Sequence, residues 1–151
     1  MFRGTFEQRI DDKGRVNVPA KFREVLADLG DDRLFVTNFR VGDVRCLEAR
    51  PYAEWLALEA RVAVRTDLSA GAMEFYDNYY LAGAQECQID KQGRLLVPPV
   101  LRDYAGLLKE VVFAGGRGKF RIWDKSKWST VHLAGEQRAV SEPGVLTELG
   151  L

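Results

Sequence analysis

A fourteen-residue stretch is written twice into this chain. Ile10 to Arg23 reads IDDKGRVNVPAKFR, and seventy-nine residues later Ile89 to Arg102 reads IDKQGRLLVPPVLR. Seven positions are identical: Ile10/Ile89, Asp11/Asp90, Gly14/Gly93, Arg15/Arg94, Val18/Val97, Pro19/Pro98 and Arg23/Arg102. Chance gives about one match in such a window, so the chain carries an internal duplication. Two copies of one unit adopt the same local structure, and in a short chain each is the other's nearest partner.

Each copy reads strand, turn, strand, helix. Asp11 can accept hydrogen bonds from amides just ahead of it, and Gly14 can take the positive φ that closes a short loop. Val16 and Val18 share one face of the outgoing strand, Arg15 and Asn17 the other. Pro19 cannot continue a central strand, but its fixed φ suits a first helical turn. A short helix is predicted from about Ala20 to Ala27, with Phe22, Val25 and Leu26 on one side. The second copy follows the same grammar through Pro98, Leu101 and Tyr104. A unit of about 70 residues buries little core alone, and 151 residues allow one domain or two small ones. Two copies sharing strands as an intrachain pseudo-dimer resolve the shortage.

Around the copies, residues 5–10 are predicted as the incoming strand, and Gly30-Asp31-Asp32 as a loop. Leu34–Thr37 and Arg45–Glu48 read as paired strands. Pro51 opens a helix through Trp55, Leu58 and Val62, whose apolar residues fall at helical spacing. Residues 70–81 read as a further helix rich in aromatics (Phe75, Tyr76, Tyr79, Tyr80), serving either as core or as a subunit interface. The plan then repeats: a strand over 110–114, a turn at Gly115–Gly118, a return strand over 119–123, and a helix capped by Asp124 that carries Trp128. Beyond Gly135 the pattern fades into a tail read as loose or paired with a neighbour.

The formal net charge is zero, which by itself argues against a nucleic-acid partner; its distribution argues for one. Residues 1–23 hold six bases (Arg3, Arg9, Lys13, Arg15, Lys21, Arg23) against three acids, a net of +3. Residues 24–80 hold six bases against eleven acids, a net of −5, and the second copy, 84–105, balances three against three. The copies are alike in shape and unlike in charge, with the basic surface on the first.

Little in the sequence nominates an enzyme. The single histidine, His132, falls late in a predicted helix. Gly118-Lys119 fails as a phosphate loop, because position 113 is Phe and neither Ser/Thr nor a helix follows the lysine. Cys46 and Cys87 lack metal-type spacing and suit a reducing cytosol, with no disulfide expected between them. No apolar run approaches bilayer length, and the N-terminus lacks a signal peptide's apolar core. No catalytic residue, metal, cofactor, small-molecule substrate or membrane partner is expected.

Gly14-Arg15-Val16-x-Val18-Pro19-x-x-Phe22-Arg23 resembles the swapped-hairpin DNA-binding unit of AbrB-type transition-state regulators and MazE-type antitoxins. Two tandem copies, the opening Met1-Phe2-Arg3-Gly4 and an Asp-x-x-x-Arg pair in each copy make the chain resemble the MraZ family of bacterial transcriptional regulators over roughly residues 1 to 135. The resemblance implies an α+β fold of two tandem AbrB-like, swapped-hairpin β-barrel repeats forming an intrachain pseudo-dimer with peripheral helices. The expected domains are 1–65 (first repeat), 66–82 (linking helix), 83–135 (second repeat) and 136–151 (tail). It also implies ring-shaped homo-oligomers that engage short direct repeats in the promoter of the division and cell-wall gene cluster, their own gene included. The first-copy loop is the DNA-facing one in such proteins.

Residues and resemblance thus converge on double-stranded DNA as partner and on a cytoplasmic, nucleoid-associated protein. Arg15 is expected to read guanine edges, because its planar fork matches O6 and N7. Lys13, Arg3 and Arg9 are expected at phosphates, which fix register, and Gly14 is expected to let the backbone approach the duplex. Asp11, Asp90, Gly93 and Arg94 are expected to be structural parts of the turns. An antitoxin-like protein and a purely structural ring are the alternatives.

Overall fold

The computed structural model describes residues 1–151. In the first half, β1 (Thr5–Arg9), β2 (Arg15–Asn17), α1 (Ala20–Leu29), β3 (Arg33–Val41), β4 (Val44–Pro51) and α2 (Tyr52–Ala63) follow in order. A connector, α3 (Ala70–Phe75) running directly into a π-helical turn (Tyr76–Leu81), leads to the second half. There β5 (Gln85–Gln88), β6 (Arg94–Leu96), α4 (Pro99–Ala105), β7 (Glu110–Gly115), β8 (Phe120–Asp124) and α5 (Lys125–Ser141) repeat the sequence of elements, followed by α6 (Gly144–Glu148). The fold is α+β with antiparallel strands throughout.

The duplicated strands do not pair with their own neighbours. Six strands form one sheet in the order β1-β7-β8-β4-β3-β5, and β2 and β6 form a separate ribbon. Replacing each strand by its counterpart in the other half reverses that order, so the sheet has a pseudo-two-fold axis between β4 and β8. The register repeats too: Gln8 pairs with Val111 where its counterpart Cys87 pairs with Leu34. The Asp-x-x-Gly turn and the polar residues between Ile10 and Val16 fit a short hairpin loop. The loop closes, with Asp11 N donating to Arg15 O and a single Ile10–Val16 bridge, but β1 and β2 then diverge into different sheets. The ladder leaves β1 and β5 as edges.

Three layers result. On one face of the sheet, the ribbon, α1 and α4 bury Val16, Leu95, Phe22, Leu26, Leu101 and Ala105 with Leu34, Leu47, Val111, Phe113, Phe120 and Ile122. Phe22 of the first copy meets Phe120 of the second at 5.2 Å and Phe113 at 6.4 Å between ring centroids. On the other face, Trp55 of α2 stacks between Phe35 (4.8 Å) and Tyr80 of the π-helical turn (5.3 Å). Trp128 of α5 packs there against Trp123, which is buried with Cys46 and Ala114. Because both faces are covered, Cys46–Ala49 and Val111–Ala114 are buried without alternation.

Glu48 is buried at the centre of the sheet, where its carboxylate accepts from Arg121 Nε (3.1 Å) and the Tyr80 hydroxyl (2.6 Å) and lies 3.2 Å from an Arg50 Nη. The network ties the connector to β4, aided by Thr37 Oγ1 donating to the Tyr80 carbonyl at 2.6 Å. Tyr80 is therefore core, while Phe75 of the same aromatic run is 46% exposed. The tail, read from sequence as loose or paired with a neighbour, is helical: α5 continues to Ser141 and α6 follows. Cys46 and Cys87 are free and buried, and burial pushes their thiols up to about 12 and about 11. No helix is long and apolar enough to cross a membrane.

Candidate nucleic-acid interface

The ribbon is the element the duplication builds most directly. Arg15 faces Leu96, Val16 faces Leu95 and Asn17 faces Arg94. Val16 and Leu95 point into the core at 1% and 0% exposure. The other four side chains therefore share the outward face. Amides beyond the ribbon lock the copies together: Val18 N donates to Gly93 O at 2.9 Å, and Val97 N to Gly14 O at 2.8 Å.

Each loop leading into the ribbon is organised by its aspartate. Asp11 Oδ1 accepts from the amides of Lys13 (3.0 Å) and Arg15 (2.9 Å), while Oδ2 accepts from Arg15 Nε at 2.8 Å. Asp90 does the same for Gln92 N, Arg94 N and Arg94 Nε, at 2.9, 2.9 and 3.0 Å. The arginines are tethered at Nε, and their two Nη groups make no hydrogen bond to Asp11 or Asp90. By geometry the two arginines are equivalent. What differs is their company: Lys13 and Leu96 beside Arg15, Gln92 and Asn17 beside Arg94.

In both copies the amide of the arginine, and then its guanidinium, holds the carboxyl below the ordinary aspartate value of 3.8. A depressed folded-state value stabilises fully above the unfolded value, and the contribution is lost as the pH falls through the folded one. The double variant Asp11→Asn, Asp90→Asn should therefore show a shallower fall in melting temperature as the pH drops below about 4 than the natural chain, measured by circular dichroism.

Gly14 sits at φ +88°, and a Cβ there would lie 2.9 Å from Val97 O and 3.2 Å from an Arg102 Nη. Within the chain, the close approach that this glycine permits is made by the other copy. Arg102 also donates to the Asp12 carbonyl at 3.3 Å, so a helix of the second copy props the basic loop of the first. Sequence reading passed over this arginine, although its identity with Arg23 was the available signal.

Lys13 is exposed at the loop tip, and Arg9, at the end of β1, lines a shallow cleft with Asn17 of the ribbon. Arg3 is elsewhere. It precedes β1, whose N-terminal end lies against Gly115 and Gly116, roughly 20 Å of extended chain away from Arg9. A larger groove of about 1090 Å³ beside the loop mixes Arg9, Arg102, Lys109 and Lys125 with Asp11, Asp103 and Glu110. Its charges of both signs favour no single ligand. No three His, Cys, Asp or Glu side chains converge as a metal site, and His132 lies exposed on α5 beside Trp128.

This arrangement has relatives. The chain matches the family described as "MraZ protein, putative antitoxin-like" over residues 1–75 and 80–139. It belongs to the MraZ family. Among its relatives, proteins named transcriptional regulator MraZ from Geotalea daltonii and Geotalea uraniireducens are 45% and 44% identical, with both chains covered in full. One from Syntrophobacter fumaroxidans is 41% identical over 84% of this chain and 81% of its own. Both fourteen-residue copies fall inside the matched MraZ segments, so the ribbon they build lies within what the family shares.

Proposed function

We propose that this chain is a sequence-specific DNA-binding transcription regulator whose reading head is the β2–β6 ribbon. The observation that carries this is Arg15: a guanidinium held at Nε by its own aspartate, its terminal nitrogens turned outward on a two-stranded ribbon. Such a ribbon is one of the elements a major groove admits, and a guanidinium fork matches the O6 and N7 of guanine. Lys13 and Arg9 flank it as phosphate contacts. Arg3 contributes as a separate phosphate contact, reached where the duplex passes the far end of β1. Arg94 shares the outward face and assists.

The two copies act as one AbrB-like, swapped-hairpin unit, with 1–65 and 83–135 as its repeats, 66–82 as the link and 136–151 as a helical tail. A single head of this size makes few contacts and binds weakly. Several heads on a homo-oligomeric ring engage short direct repeats together, each later contact being effectively intramolecular. The target is the promoter of the division and cell-wall gene cluster that includes the regulator's own gene, and the protein acts in the cytoplasm at the nucleoid. The names of its relatives support the regulatory role. The antitoxin-like wording of the family description supports a second reading, in which a toxin partner co-purifies with the chain.

Binding is expected to weaken steeply with salt. If each head neutralises about three phosphates, the slope of log K against log salt is about −2.7 per head on duplex DNA. Fluorescence anisotropy on the upstream duplex measures it, and a flat response would remove phosphate neutralisation from the account.

A further inference from the structure

The backbone of the ribbon is two-fold symmetric, but its outward side chains are not. At one end Arg15 faces Leu96; at the other, Arg94 faces Asn17. Residues 17 and 96 hold equivalent places in the two copies, so the departure from symmetry is an amide in one and an isobutyl group in the other. Leu96 is 57% exposed. Packing does not account for it: its neighbours Leu95 and Val97 are fully buried and supply the core contacts of β6. Nor is it mobile chain, because its strand pairs with β2 and the ladder continues past Leu96, with Val97 N donating to Gly14 O at 2.8 Å.

We infer that Leu96 is a specificity-determining residue that reads the 5-methyl group of a thymine adjacent to the guanine contacted by Arg15. The inference rests on the DNA-binding reading above and deepens it. In the major groove the thymine methyl is the one apolar feature a base pair presents, and an apolar side chain is what recognises it. Directly opposed residues of an antiparallel pair lie about 5 Å apart on the same face, so Arg15 and Leu96 address neighbouring positions in the groove. At the other end, Asn17 beside Arg94 offers the amide that pairs with adenine N6 and N7. A head with a two-fold backbone and unlike ends distinguishes the two directions along a duplex, and suits a repeated, directional site better than a palindrome.

The test uses the full chain and a duplex selected by it from a random-sequence pool, compared with the same duplex carrying deoxyuridine in place of thymidine. Removing the methyl groups should weaken the natural chain by about fourfold for each methyl contacted, the factor expected for one buried methyl. Leu96→Ala and Leu96→Asn should bind both duplexes equally. Equal binding of both duplexes by the natural chain overturns the inference, as does a methyl preference that survives in the variants. A change of oligomer mass in Leu96→Ala also overturns it, by making Leu96 a contact between copies. Arg15-dependent binding without methyl preference defeats the Leu96 role alone; failure to select any duplex defeats the DNA-binding reading with it.

Discussion

Arg15→Ala is expected to abolish specific binding to the chain's upstream promoter while leaving fold and oligomer size unchanged. A bidentate guanidinium–guanine contact discriminates by about 1–3 kcal/mol, or about fivefold to more than a hundredfold for one head. Where several heads act together, each one loses that contact, and the losses multiply. The structural cost is small, because the Arg15–Asp11 pair is exposed, at 37% and 41% of the two side chains, and such pairs are worth about 0–1 kcal/mol. Gel shift and size-exclusion chromatography measure the two sides of this prediction. Arg94→Ala, with Gln92 in place of Lys13 beside it, should lose less. If the order of the two losses is reversed, the leading role belongs to the second copy.

Phe22→Ala should be the most damaging single core change, at about 3–5 kcal/mol. The Phe22 ring lies within 5.3 Å of Phe2, Phe6 and Phe120. It comes from a helix of the first copy, and Phe120 from a strand of the second, so its loss opens a cavity that both halves share. The tryptophans lie in different halves: Trp55 of α2 against β3, and Trp123 in β8 with Trp128 of α5 packed on it. Fluorescence of single-tryptophan versions and far-ultraviolet circular dichroism should therefore fall together, in one transition moved to lower temperature. Two separate transitions would mean that the halves fold independently.

Much of this was legible because the turn chemistry is local. The Asp-x-x-Gly loops, the prolines before α1, α2 and α4, and the Asp124 cap all appear where their residues called for them. Strand partners were harder to read, since alternation tells which face of a strand is buried and leaves its neighbour open. Hence the apparent hairpin at Gly14 proved to be two strands leaving for different sheets. β3 and β4 run longer than 34–37 and 45–48 mainly because they extend as a partly exposed hairpin end, where Asn38–Val41 pair with Val44–Leu47. The tail was missed for a different reason. Ala139, Glu136, Gln137 and Arg138 are good helix formers, yet α5 has no buried residue and so shows no apolar stripe to detect.

The candidate site divides in the same way. Arg15, Lys13 and Asp11 were legible from charge and turn chemistry within one copy. Arg102 and Leu96 were not, because their part in the site depends on the second copy folding over the first, which no local pattern encodes. Arg3 was grouped with the basic loop by its place in the sequence, and an extended strand carries it away.

The most direct measurement is the structure of the full chain bound to a duplex from its own upstream region. The account predicts the outward face of β2 and β6 in a major groove, with the Arg15 Nη atoms at hydrogen-bond distance from a base edge and Lys13 at a phosphate. A ribbon face closed off by a neighbouring subunit, with the duplex held on some other surface, would contradict it.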